Sequence, residues 1–103
     1  MKTEIHQAIA GLSEQVKTPF YFVDIDQVRQ RFMDFQSAWK NRFPRVMCAY
    51  SYKSNSNHAI TQTLRACGIA AEVVSGAELQ WALDDGFSPE NIFFDGPVKL
   101  EEE

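Results

Sequence analysis

Apolar residues in the first part of the chain recur at helical spacing, with one short run between two helical patterns. The first pattern comprises Ile5, Ile9, Leu12 and Val16. It predicts an amphipathic helix that ends at Thr18-Pro19, because the residue before a proline disfavours helical backbone. The run PFYFVD then predicts a short strand. Asp24 opens D-x-x-Q, a variant of the capping box, so a second helix is predicted from there to about Phe43.

The rest of the chain alternates apolar runs with helical patterns. The runs PRVMCAYSYK, IAAEVVS and ENIFFD predict three strands. Two helices are predicted between them, one closed by Gly68 and the other by Gly86. The second begins at an S-x-x-E capping box, Ser75 to Glu78, and the final KLEEE predicts the first turn of another helix. This alternation predicts an α/β fold built from parallel β/α units.

Composition narrows the class of function. The chain has 103 residues, 45% of them hydrophobic, which suffices for one small domain with its own core. A net charge of −4 with scattered Lys and Arg argues against nucleic acid as a partner. The N-terminus is too polar for a signal peptide and no apolar stretch reaches membrane length, so a cytoplasmic protein without a membrane partner is predicted. Cys48 and Cys67 lie far apart without CxxC spacing, so no metal site is predicted.

A single lysine ends the strand-like run before a polar stretch, AYSYKSNSN. Since side chains alternate across a strand, Ser51 and Lys53 share one face, and the bulky Tyr50 and Tyr52 share the other. The first face becomes small and polar at the carboxyl end, where parallel α/β folds bind ligands. Lys53 could therefore serve as a Schiff-base amine. The residues alone leave a solvated loop lysine open as the alternative.

Four segments together resemble one family. AYSYKSN resembles the YAVKAN motif that carries the cofactor lysine in fold type III pyridoxal-phosphate enzymes. TPFYFVDIDQVRQRF is similar to that family's TPLYVYDLDALRARY, AAEVVSGAEL to GADVVSGGEL, and FSPENIFFDGPVKLEEE to the segment ending in GNGKSDEEL. The resemblance covers roughly residues 18–103 and is greatest for the diaminopimelate and ornithine decarboxylase branch. Alanine racemases share the lysine strand but not the other decarboxylase patterns.

The resemblance implies a fold and an activity. The fold would be the first part of a (β/α)8 alanine-racemase-like barrel: an N-terminal helix over residues 1–18, then the start of the pyridoxal-phosphate-binding domain over residues 19–103. The activity would be that of a decarboxylase, a carbon–carbon lyase, acting on diaminopimelate, ornithine, lysine or arginine. Lys53 would form the Schiff base with pyridoxal 5′-phosphate, whose ring accepts the electrons released. The family's enzymes are homodimers, so a homo-oligomer is expected.

The resemblance also implies further site residues. Glu72 falls where the family usually has Asp, on the cofactor side of the next strand. Ser75 would contact the cofactor, and Glu78 matches a position near the active site, although the capping box also explains both residues. Lys99 fits the NPxK variant of the third loop, in which Gly96 replaces the usual Asn.

The chain supplies only part of what this family uses. A (β/α)8 barrel takes about 250 residues, and only three of its strands are predicted here. The chain is therefore expected to be an N-terminal fragment that is inactive alone. Two alternatives remain open: a pyridoxal-phosphate-dependent racemase relative, and a small non-catalytic α/β binding or assembly module.

Overall fold

Two helices precede a regular alternation of strands and helices. A computed structural model describes residues 2–102. The elements are α1 (Lys2–Gln15), α2 (Ile25–Lys40), β1 (Ala49–Ser51), α3 (His58–Ala66), β2 (Ala70–Val73), α4 (Gly76–Asp84), a 3-10 turn (Pro89–Asn91) and β3 (Ile92–Phe94). Among the helices of this part, none combines the length and the apolar character needed to cross a membrane.

The three strands form a parallel sheet in the order β1-β2-β3. Ser51 pairs with Glu72, and Glu72 pairs with Phe93, so the carboxyl ends of all three strands lie at one edge. The prediction of a parallel α/β fold is confirmed. Each strand is shorter than its apolar run because β2 is confined between Gly68, which ends α3, and Ser75, which caps α4. Strands β1 and β3 pair only with this short strand.

The core lies on the helix-covered face of the sheet. Its buried cluster contains Tyr52, Ala71, Val73, Ala82 and Phe87. Helix α4 packs against β2 and β3, while α2 packs against α3. Tyr52, only 1% exposed, is among the largest fully buried side chains, so the prediction that the bulky face of the lysine strand packs in the core is confirmed. Burial of these apolar side chains supplies the main stabilisation.

Polar side chains start the helices as the sequence predicts. Asp24 accepts a hydrogen bond of 3.1 Å from the backbone N–H of Gln27 at the start of α2. Ser75 accepts one of 3.2 Å from the N–H of Glu78 at the start of α4. The second half of this capping box differs from the prediction, because the Glu78 carboxylate accepts from the N–H of Val74, one residue before the cap. Each cap still satisfies a helix-end donor.

Two predicted elements are wrong in the described residues. Residues 19–24 form no strand, because no described strand runs alongside to take their backbone hydrogen bonds. Residues 99–102 form no helix; residues 99 and 100 are irregular, and residues 101 and 102 form a turn. Glu103, the last residue of KLEEE, lies outside the described residues.

The apolar faces of α1 and α2 are less buried than helical spacing suggests. Phe32 of α2 is 6% exposed, whereas Phe35 and Trp39 are 57% and 46% exposed. The ring of Phe35 packs edge to face against Trp39, and the ring of Trp39 stacks on that of Phe43. These rings therefore form an exposed aromatic row along α2.

Gly96 and Gly11 should respond oppositely to replacement by alanine. A Cβ at the buried Gly96, just after β3, would overlap the backbone carbonyl of Val74, whereas a Cβ at Gly11 in α1 meets nothing within 4 Å. Gly96→Ala should therefore lower the free energy of unfolding by about 1–3 kcal/mol. Gly11→Ala should raise it by about 0.5–1 kcal/mol. Urea unfolding of the full-length protein measures both, and two shifts of the same sign would contradict the close approach at Gly96.

Candidate active site

Lys53 lies in the turn that follows β1. The backbone N–H of Tyr52 donates to the carbonyl of Glu72 at 3.0 Å, and the N–H of Ser54 donates to the carbonyl of Ser51 at 3.1 Å. Lys53 thus directly follows the last backbone bond between β1 and β2. Its side chain is exposed and has no hydrogen-bond or ion-pair partner among residues 2–102.

Polar groups gather on the sheet face opposite the core. Glu72 lies between Ala71 and Val73, both of which pack in the core, so its side chain projects from the other face. Ser51 is its register partner on β1. The Ser51 Oγ is buried and has no hydrogen-bond partner in the described chain. A hydroxyl and a carboxylate therefore lie side by side at the edge from which Lys53 emerges.

Ser75 and Glu78 lie at the same edge, where β2 gives way to α4. Both side chains already bond to the backbone, Ser75 to the N–H of Glu78 and Glu78 to the N–H of Val74. The Ser75 hydroxyl keeps its own proton free to donate, because in the cap it acts only as an acceptor. Its structural role and a role toward a ligand are therefore compatible.

Lys99 is held by its own loop. Its Nζ donates to the carbonyl of Gly96 at 2.7 Å and lies 5.7 Å from the centre of the Phe94 ring. The structure thus brings Ser51, Lys53 and Glu72 together at the ends of β1 and β2, with Ser75 and Glu78 beside them. Lys99 follows the third strand and is engaged locally.

Sequence reasoning missed a buried polar cluster on the core side. Asp85, the C-terminal cap of α4, is 4% exposed. Its Oδ2 accepts from the Tyr52 hydroxyl at 2.5 Å and from the Thr61 hydroxyl at 2.6 Å. Its Oδ1 lies 2.7 Å from the Nδ1 of His58, which carries the proton in this contact because a carboxylate can only accept. This Asp85 cluster joins the end of β1 to α3 and α4.

The hydrogen bonds in the Asp85 cluster set its protonation. Burial favours the neutral carboxyl, but the hydrogen bonds from Thr61, Tyr52 and His58 outweigh burial and hold the pKa of Asp85 below its ordinary 3.8. Burial, and next the hydrogen bond to the Asp85 carboxylate, raise the pKa of Tyr52 well above its ordinary value. The cluster therefore contains an ionised carboxylate bound to a neutral phenol.

A periodic signal for this cluster exists in the sequence. Asp85 follows Ala82 by three residues, and Thr61 precedes Leu64 by three, so both polar residues fall on the buried faces of their helices. His58 gives no comparable signal, because its partner Asp85 lies 27 residues away in the sequence. Across the described part of the chain, no group of three or more His, Cys, Asp or Glu side chains is arranged to hold a metal ion.

The Lys53 amine lies at the carboxyl edge of parallel β/α units, where such folds bind ligands, and a lysine amine can form a Schiff base with a carbonyl compound. The family model described as "Pyridoxal-dependent decarboxylase, pyridoxal binding domain" matches residues 26–103. The chain belongs to this family, and the predicted family, fold class and pyridoxal-phosphate cofactor are confirmed.

Several relatives share most of this chain. Diaminopimelate decarboxylase of Helicobacter pylori is 39% identical over 85% of the chain and 21% of that protein. L-glutamyl-[BtrI acyl-carrier protein] decarboxylase of Niallia circulans is 35% identical over 92% of the chain and 22% of that protein. The crystal structure of the Helicobacter pylori diaminopimelate decarboxylase I148L mutant, complexed with L-lysine, superposes with a TM-score of 0.80 at 36% identity, covering 89% of this chain and 23% of that one. The chain thus spans about a fifth of the length of its curated relatives.

The chemistry of the described residues fits one end of pyridoxal phosphate. Its aldehyde carbon needs a reachable amine, and the Lys53 side chain has no other partner in the described chain. The ring substituents of the cofactor need polar groups nearby. The buried Ser51 hydroxyl lies beside Glu72 and has no hydrogen-bond partner in the described chain. The part of the cofactor that this chain could hold is therefore the end that bonds to lysine.

Acid should destabilise the protein partly through Asp85. Because the pKa of Asp85 is lowered in the folded state, its contribution is complete above about pH 3.8 and is lost as the pH falls through the folded-state pKa. Asp85→Asn should therefore lose less stability than the parent between pH 6 and pH 3, measured as the shift of the urea midpoint. Asp84→Asn, an exposed neighbour, is the control and should follow the parent. Equal losses in parent and Asp85→Asn would contradict the lowered pKa.

Proposed function

We propose that this chain is the N-terminal part of a pyridoxal-phosphate-dependent amino-acid decarboxylase in which Lys53 forms the Schiff base. The observation that carries the proposal is the position of Lys53. Among the lysines of the described chain, it alone lies within two residues after the end of a strand, at the edge shared by Ser51 and Glu72. That edge is where parallel α/β folds place their chemistry.

The neighbouring residues have distinct proposed tasks. Glu72 keeps a negative charge on the sheet face that bears the cofactor, and its longer side chain reaches further than the Asp usual at this position. Ser75 can donate its hydroxyl proton to the cofactor while its oxygen caps α4. Glu78 and Lys99 are secondary candidates for contact with the cofactor. Glu78 would have to give up or share its hydrogen bond with Val74, and Lys99 its hydrogen bond with Gly96.

The cofactor and the protein divide the chemistry. Bound pyridoxal phosphate supplies a ring that accepts the electron pair left when the substrate carboxylate departs as carbon dioxide. The residues of this chain hold and orient the group: Lys53 anchors it to the sheet edge, and the polar face beside Ser51 receives it. Orientation matters because small displacements of reacting groups cost large factors in rate.

The proposed substrate is a diamino or basic amino acid of the diaminopimelate, ornithine, lysine and arginine class. The relatives named diaminopimelate decarboxylase support it, and the solved Helicobacter pylori enzyme is complexed with L-lysine. The Niallia circulans relative acts on a carrier-linked glutamyl group by its name, so similarity over this region does not by itself determine the substrate.

We further propose that in the whole protein the sheet continues into a (β/α)8 barrel, and that the protein is a cytoplasmic homodimer. The likeness to diaminopimelate decarboxylase structures supports the barrel. The exposed aromatic row along α2 and, separately, the exposed Phe93 on β3 support further burial of both surfaces by more chain or by a second subunit.

Borohydride reduction of the full-length protein with pyridoxal phosphate, followed by peptide mapping, tests the assignment of Lys53. The pyridoxyl mass should fall on the peptide that contains Lys53, because its amine is exposed and without a partner in the described chain. Lys53→Ala should abolish both the visible absorbance of the bound cofactor and the release of carbon dioxide. Lys17→Ala, at another exposed lysine, should retain both.

The isolated 103-residue polypeptide completes this experiment. With its three-stranded sheet it should release no carbon dioxide from diaminopimelate, ornithine, lysine or arginine when the cofactor is added. A pyridoxyl mass on another lysine, with Lys53 unmodified, would refute the assignment. Turnover by the isolated polypeptide would refute the view that further chain is needed.

A further inference from the structure

The loop that carries Lys53 is bounded at both ends by residues bound to one carboxylate. This Lys53 loop comprises residues 53–57, between Tyr52 at the end of β1 and His58 at the start of α3. The Tyr52 hydroxyl donates to one oxygen of Asp85, and the Nδ1 of His58 contacts the other. The two ends of the loop are therefore tied to a single side chain of α4.

The Asp85 cluster can act as a rigid support because three of its four side chains are almost completely buried. Asp85, Tyr52 and Thr61 are 4%, 1% and 0% exposed. A third bond, from the Thr61 hydroxyl, holds the carboxylate against α3. Only His58 reaches solvent, with 60% of its side chain exposed. Hydrogen bonds to a buried charged group are stronger and more directional than neutral ones.

The Lys53 loop is also held from within. The Tyr50 hydroxyl donates to the carbonyl of Asn55 at 2.8 Å, and the backbone N–H of Asn57 donates to the Asn55 side chain at 3.0 Å. The backbone N–H of Ser54 donates to the backbone carbonyl of Ser51 in β1. With both ends fixed on Asp85, these bonds leave the loop backbone little freedom to move the Cα of Lys53.

An apolar side chain at position 85 could fill the same space, and buried ion pairs often add little stability over apolar packing. What an apolar group could not do is fix direction, since a carboxylate accepts from two partners along defined lines. The long, flexible side chain of Lys53 depends on its backbone for the direction of its amine.

We propose that Asp85 is a positioning residue for Lys53, which fixes the Lys53 loop by binding Tyr52 at one end and His58 at the other. The inference rests on the proposed function for the importance of the Lys53 amine, but the restraint of the loop is a property of this chain alone. Asp85 touches neither Lys53 nor the polar sheet face, so it acts through Tyr52 and His58.

Two substitutions break the restraint one end at a time in the full-length protein. Tyr52→Phe keeps the buried ring and removes only the hydroxyl, and Tyr21→Phe is its control at a fully exposed tyrosine. His58→Ala removes the other contact, and His6→Ala is its control at an exposed histidine of α1. His58→Asn places an amide N–H near the position of Nδ1 and should restore most of the lost restraint.

Hydrogen exchange of the apoprotein measures the restraint without the cofactor. The amides of Ser54 and Asn57 should exchange about tenfold faster in Tyr52→Phe and His58→Ala, the factor expected for losing one hydrogen bond to a charged group. In both variants the amides of β2 should exchange at the rate of the parent protein. The controls Tyr21→Phe and His6→Ala should match the parent at every amide. Unchanged exchange of the loop, or an equal rise in β2, would overturn the proposal, because the cluster would then be irrelevant to the loop or would act only on overall stability.

Trapping the cofactor on Lys53 links the restraint to chemistry. The rate of borohydride-trapped labelling of Lys53 at saturating pyridoxal phosphate should fall about tenfold in Tyr52→Phe and His58→Ala and recover in His58→Asn. Loop exchange that rises with no change in labelling rate would overturn the positioning role. Label on a different lysine in the parent would refute the proposed function, and the exchange data would still decide whether Asp85 restrains the loop.

Discussion

Parallel pairing of β1 with β2 and of β2 with β3 is the constraint on which the other features depend. Because the register sets Ser51 beside Glu72 and Glu72 beside Phe93, the carboxyl ends of all three strands reach one edge. Pleating then sends alternate side chains to opposite faces. The turn with Lys53 follows directly from the last backbone bond of this ladder, between Tyr52 and Glu72. The candidate site therefore lies at the edge where the three-stranded sheet ends.

The two faces of the sheet have different tasks. The core face carries Tyr52, Ala71 and Val73 under the helices and supplies stability, together with the buried carboxylate of Asp85. The opposite face carries the side-chain hydroxyl of Ser51 and the carboxylate of Glu72 next to each other, with Phe93 following on β3. Lys53 and Tyr52 are adjacent in sequence but belong to opposite faces. The bonds that fix the loop can therefore lie entirely on the core side without occupying the polar face.

Features that depend on local chemistry could be predicted from the sequence. The order of elements, the caps at Asp24 and Ser75 and the faces of the lysine strand follow from periodicity and short-range hydrogen bonding. Strand lengths and the absence of a strand at residues 19–24 depend on a partner strand, which a local pattern does not contain. The Asp85 cluster joins residues 24 to 33 positions apart, so each member by itself resembles an ordinary helix or strand residue.

The proposed function requires that the edge defined by Ser51, Lys53 and Glu72 receives the cofactor. A crystal structure of the full-length protein with pyridoxal phosphate tests it most directly. We expect continuous density from the Nζ of Lys53 to the cofactor, with the ring over the sheet face of Ser51 and Glu72. A cofactor joined to another lysine, or bound on the face that carries Tyr52, would contradict it.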